Sequence, residues 1–154
     1  IRNFDELVDA EDDIILCTIG TNNRHQYFNT GEKRSRREQR ELVYRDILTL
    51  HEKMQAAGKD VVFIANIPAS AANERDGADY WRILHMDDIH DLYSKASAVC
   101  GFPMISMYNA FSTYCEDRNI PLDSLLADGL HPNDEGYRVM FRLLLRELGL
   151  AQRM

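Results

Sequence analysis

The strongest constraint on this chain is a repeated alternation. Short, continuously apolar runs are separated by longer stretches whose apolar residues recur at helical spacing. The first run, Asp13-Ile14-Ile15-Leu16-Cys17-Thr18-Ile19, is closed by Gly20; the second, Val61-Val62-Phe63-Ile64-Ala65-Asn66-Ile67, is closed by Pro68. A shorter third is Pro103-Met104-Ile105-Ser106-Met107. Runs of this kind predict strands buried on both faces of a parallel sheet. Between them, Ser35-x-x-Glu38 has the form of a capping box, and Leu42, Val43, Ile47, Leu50 and Met54 share one face of the helix it opens, with Gly58 as its C-cap. Ile89, Leu92, Tyr93, Ala96 and Val99 form a second stripe ended by Gly101. A last helix starts near Pro132 and Asn133 and is expected to bury Tyr137, Met140, Phe141, Leu144 and Leu148. Residues 3–10 predict a short leading helix with Asn3 as N-cap.

The order α-β-α-β-α-β-loop-α implies βαβ units: an α/β fold, a parallel sheet with helices on both faces, as one domain over residues 1–154. Ligands of such sheets bind beyond the carboxyl ends of the strands, which selects the loops after Ile19, Ile67 and Met107. A net charge of −7 argues against a nucleic-acid partner. The basic cluster Lys33, Arg34, Arg36, Arg37 and Arg40 is interleaved with Glu32, Glu38 and Glu41 and reads as a solvated helix face. No apolar stretch approaches the roughly 20 residues of a membrane span. Cys17, Cys100 and Cys115 are an odd, scattered set, which reads as reduced thiols and favours a cytoplasmic setting. Cys17, inside an apolar run, is expected in the core.

Two stretches carry chemistry. Asp128-Gly129-Leu130-His131-Pro132 sets an aspartate three residues before a histidine, in a turn leading into a helix. A carboxylate accepting Nδ1–H fixes the imidazole tautomer, stabilises the imidazolium and leaves Nε2 as a general base. At the end of the first strand, Gly20-Thr21-Asn22-Asn23 allows a sharp turn and an amide donor aimed into a site, where it could stabilise an oxyanion. Taken singly, each also fits an ordinary turn: a surface cap for the last helix, and a strand-ending Gly-Asn turn. His85 and His90, near Asp87, Asp88 and Asp91, are spaced i, i+5 rather than i, i+4, so a solvated helix face is expected there and no metal site. His25 and His51 likewise read as loop or helix-surface residues.

Together, Gly-x-Asn after a strand and a later Asp-x-x-His-Pro-x-x-x-Gly-Tyr resemble the SGNH hydrolases, the GDSL esterase/lipase family. The resemblance implies a flavodoxin-like three-layer sandwich. It also implies a serine ester hydrolase with Asn22 as oxyanion donor, His131 as general base and Asp128 as its orienting partner, and no metal or organic cofactor. Its substrate would be an ester-bearing small molecule or an acylated carbohydrate. Asn23 stands where the family usually has aspartate. The family's Gly-Asp-Ser block, which carries the nucleophile, and its second block, whose glycine gives a backbone donor, are absent from these 154 residues. The chain is therefore expected to be the C-terminal portion of the fold, lacking its first strands. The N-terminal portion, from the same gene or another chain, would be its partner, and its absence would leave an apolar strand edge open. Ser70 and Ser112 lack the sharp glycine turn of a nucleophile and are not expected to replace it. Gly20, Asn23, Ser70 and Trp81 are expected on the substrate side. Trp81, beside Tyr80, could stack on a sugar, with packing as the alternative. A different class of function also fits the frame: a non-catalytic carbohydrate- or protein-binding domain.

Overall fold

A computed structural model describes residues 4, 8–9, 11–25, 33–74 and 82–150. Most of the leading helix expected over residues 3–10 lies outside the described residues, as do Tyr80 and Trp81. Strands β1 (Ile14–Cys17), β2 (Asp60–Ala65) and β3 (Met104–Ser106) form one parallel sheet in the order β1-β2-β3. Helices α1 (Arg36–Ala56), α2 (Ala71–Glu74), α3 (Met86–Cys100), α4 (Met107–Arg118) and α5 (Asp134–Glu147) follow in chain order. Two 3-10 turns, Asn22–Arg24 and Leu122–Leu125, lie in the loops that carry the two motifs.

Local chemistry fixes the helix ends. The capping box of α1 is complete: Ser35 Oγ accepts from the Glu38 amide, and the Glu38 carboxylate accepts from the Ser35 amide at 2.7 Å. Gly101, at φ 75°, ends α3 in the left-handed region. Part of the basic cluster turns inward: Arg36 and Arg40 both reach the buried Asp88 on α3, whereas Arg37 pairs with Glu41 at the surface. Asp88 also accepts from the His85 amide, so this carboxylate caps α3 and joins it to α1 instead of facing solvent.

The sheet separates two cores. On one face α1 and α3 bury Val43, Ile47, Ile89 and Tyr93 against Phe63, whose ring lies 4.5 Å from that of Phe102. On the other, α4, α5 and the turn Leu122–Leu125 cover Ile64 and Ile105 with Phe111, Leu125, Val139 and Leu143. Burying side chains of this size stabilises the fold by about 1.5–3 kcal/mol each.

Several expectations are corrected. The third strand ends at Ser106, and the loop expected after it opens with the helix α4, Met107–Arg118, whose Ser106 cap accepts from the Asn109 amide. β1 is not buried on both faces: Ile14 is 62% exposed and Leu16 47%. Leu16 stands opposite Val62, on the face that α4 and α5 cover over β2 and β3 but not over β1. The last helix is rotated from its expected stripe. It buries Gly136, Val139 and Leu143 and packs Met140, Leu144 and Leu148 of the expected stripe partly against the second core, while Tyr137 and Phe141 are each 56% exposed because the buried line runs along Val139 and Leu143. Val99 overhangs the end of α3 and is exposed. His51 is not a surface residue; its ring is buried 5.0 Å from that of Phe102. The described cysteines are free thiols, and burial pushes the Cys17 thiol up to about 11. Among the described residues, no helix is long and apolar enough to cross a membrane.

Candidate active site

Asp128 and His131 form a tight unit ahead of α5. One Asp128 oxygen accepts from the backbone amides of Leu130 (3.0 Å) and His131 (2.8 Å), while the other lies 2.7 Å from His131 Nδ1. Those bonds, the His131 amide foremost, hold the Asp128 carboxyl well below the usual carboxylate range. Nδ1 is engaged, and the His131 and Asp128 side chains are 67% and 57% exposed. The turn is fastened from below. The Ala127 amide donates to His131 O, and Asn133 caps α5 through its Oδ1 to the Gly136 amide while its Nδ2 donates to Ser124 O. Gly136 is required here, since a Cβ would overlap the carbonyl oxygen of Leu125.

The second motif leaves β1 through Gly20, whose φ of 109° only glycine adopts easily; a Cβ there would also stand 2.8 Å from Ile89 Cγ2. Tyr93 grips the strand end just before it, its hydroxyl accepting from the Ile19 amide (2.8 Å) and donating to the Ile19 carbonyl (3.0 Å). Asn22 and Asn23 then begin the turn Asn22–Arg24. The Asn22 side chain is exposed and makes no hydrogen bond with the described residues. The turn behind it is held by the buried Arg24 and Gln39 and the half-buried Asn66. Gln39 Nε2 donates to Asn23 O (2.6 Å), Arg24 Nε donates to Thr21 O (3.1 Å), and Asn66 Nδ2 donates to Thr21 Oγ1 (2.5 Å). Asn66 Oδ1 accepts in turn from Thr18 (2.6 Å).

The two motifs meet beyond the carboxyl ends of β1 and β2. Thr21, Asn66, Ile67, Leu130, His131 and Tyr137 line one cavity of about 190 Å³. A wider hollow of about 400 Å³, at the opposite edge of the sheet beside His51 and Cys100, contains neither motif. Gly20 and Ser70 lie on the expected loops but underneath them. Both are buried, and the Ser70 hydroxyl accepts from the Asn73 amide, so neither presents itself to a ligand. Asn23 contributes its carbonyl to Gln39. Ser112 donates its hydroxyl to Tyr108 O on its own helix. Trp81 lies outside the described residues. His90 packs its ring 5.2 Å from Tyr108, with Nε2 buried and without a hydrogen-bond partner, rather than on a solvated face. Among the described residues, no three His, Cys, Asp or Glu side chains stand close enough to hold a metal ion.

Arg24, Gln39 and Asn66 are the supports that sequence reasoning passed over. Two of them left a signal. Gln39 lies four residues before Val43, on the apolar stripe of α1, and Asn66 interrupts an otherwise apolar run. A polar residue at a core position has to find partners inside.

A parallel α/β sheet with two separate cores, and loops converging at the strands' carboxyl ends, is the architecture of the SGNH hydrolases. The chain belongs to the GDSL-like lipase/acylhydrolase family, whose model matches residues 1–139. Solved structures share the fold. One is an acetylxylan esterase from Geobacillus stearothermophilus, solved as a catalytic mutant, with a TM-score of 0.70 and 16% identity over 96% of this chain. A lipase/acylhydrolase from Enterococcus faecalis has a TM-score of 0.68 and 19% identity, again over 96% of this chain. An alpha/beta hydrolase from the metagenome of Lake Arreo, Spain, has a TM-score of 0.62 and 19% identity over 90%. The chain spans 65%, 66% and 61% of those three structures respectively. No curated protein sequence matches it.

Proposed function

We propose that this chain supplies the acid–base and oxyanion half of a serine ester hydrolase. The observation that carries the reading is the Asp128–His131 pair, joined at 2.7 Å through Nδ1, with His131 lining one cavity together with Thr21, the chain neighbour of the exposed Asn22. In this reading, His131 Nε2 takes the proton of a serine hydroxyl as its oxygen bonds to the ester carbonyl carbon. Asp128 stabilises the resulting imidazolium, and Asn22 Nδ2 donates to the tetrahedral oxyanion. The proton passes from His131 to the departing alcohol, and water then cleaves the acyl-enzyme by the same route. The serine comes from a segment outside these 154 residues that pairs as a strand along the edge of β1 that no described strand occupies. The apolar, uncovered Ile14 and Leu16 support that placement. An acetylated carbohydrate is the substrate class favoured by the acetylxylan esterase likeness.

The test is His131→Ala in the protein as its gene encodes it, assayed on p-nitrophenyl acetate and on acetylated xylan. Turnover should fall by roughly 10⁴-fold. A fluorophosphonate probe should label the parent and leave residues 1–154 alone unlabelled. Turnover unchanged by the substitution, or its absence from the parent, would favour a binding domain built on the same fold.

A further inference from the structure

The oxyanion turn follows β1 and the acid–base turn precedes α5, so something has to set their separation. The four-residue helix α2 joins them. At its head, the Ser70 amide donates to Gly129 O at 2.8 Å, inside the Asp128–His131 turn. Ser70 also fills the space a Gly129 side chain would need, and its Oγ accepts from the Asn73 amide at 3.1 Å. At its foot, α2 receives the guanidinium of Arg24, which is 1% exposed. Arg24 Nη1 donates to Glu74 Oε2 (3.1 Å) and Nη2 to Asn73 Oδ1 (3.2 Å), while Nε holds Thr21 O. The second Glu74 oxygen accepts from the Met86 amide at 2.9 Å, tying the foot of α2 to the start of α3. An unbroken line of short contacts therefore runs from the turn bearing Asn22 through Arg24, α2 and Ser70 to the turn bearing His131.

We propose that this line is a strut that sets the oxyanion donor against the general base, with Arg24 as the positioning residue for Asn22. The inference rests on the esterase reading above. A buried ion pair is a poor source of stability compared with apolar packing of the same volume. What the guanidinium offers is a planar fork with fixed directions, here satisfied by three acceptors, one on the turn after β1 and two on α2. Catalytic geometry tolerates little displacement, so a strut of this kind acts on kcat and leaves substrate binding nearly intact.

The decisive experiment is a double-mutant cycle in the protein as its gene encodes it, with p-nitrophenyl acetate as substrate and a thermal melt on every variant. Arg24→Met should lower kcat roughly ten- to a hundredfold with KM changed by less than about threefold. In an Asn22→Ala background the same substitution should change kcat by less than about twofold, because the donor it positions is already gone. Glu74→Gln, which keeps the shape and removes the charge, should shift kcat in the same direction and serves as the test if Arg24→Met does not fold. Losses that multiply fully in the Asn22→Ala background, or an Arg24→Met or Glu74→Gln protein with the parent's kcat, would overturn the strut. A parent whose turnover is indifferent to His131→Ala would instead overturn the esterase reading on which the strut depends.

Discussion

At the scale of single residues, Asp128 carries the clearest consequence. Its carboxyl is held below the usual range by bonds that exist only in the folded turn. A depressed folded value means the charged form is the one stabilised. The contribution is therefore complete above the ordinary carboxylate value of about 3.9 and is lost as pH falls through the lower, folded one. An NMR titration of the Asp128 side-chain carboxyl should show a midpoint clearly below that ordinary value. In Asp128→Asn, the His131 ring should lose its fixed orientation throughout the neutral range. The Asp128–His131 pairing and the turn after Gly20 were legible in the sequence because each sits within a span of three or four residues. Arg24 was not: its ion-pair partner lies 50 positions away, and an arginine in a polar loop reads as solvated until the fold closes over it.

Among the elements, α5 shows where periodicity runs out. Tyr137 and Phe141 share one helical face and Val139 and Leu143 another, so the sequence offers two apolar stripes and only packing decides which one is buried. The cap is less ambiguous. Asn133 satisfies the start of α5 and also holds Ser124, so it fastens the helix to the loop beneath the Asp128–His131 turn. Asn133→Ala should cost about 1–2 kcal/mol, read as a lowered midpoint in chemical denaturation with an unchanged m-value. The strands and the long helix α1 were readable in advance, since their apolar runs and the Ser35–Glu38 box are local signals. The exposure of one face of β1 was not, because it depends on what lies beside a strand rather than within it.

For the molecule as a whole, the dominant property is the uncovered apolar surface of Ile14 and Leu16 on β1, with Tyr137 and Phe141 on α5. Among the described residues β1 is the terminal strand of the sheet, and exposed apolar groups beside such an edge favour association. Residues 1–154 alone should self-associate with rising concentration in light scattering, and Leu16→Lys with Phe141→Lys should suppress it without lowering the melting temperature. If the face is covered by the serine-bearing segment, the same pair of substitutions in the protein as its gene encodes it should instead destabilise it and reduce turnover. The glycines of the site bear on a different matter, the variants this chain can explore. A larger residue at position 20 meets a side chain, Ile89, that a second substitution could shorten, although the backbone angle would still be strained. At position 136 the obstacle is the carbonyl of Leu125, and no exchange of side chains moves it aside. Intragenic suppressors should therefore be recoverable for lesions at Gly20 but not at Gly136, where drift comes to a stop.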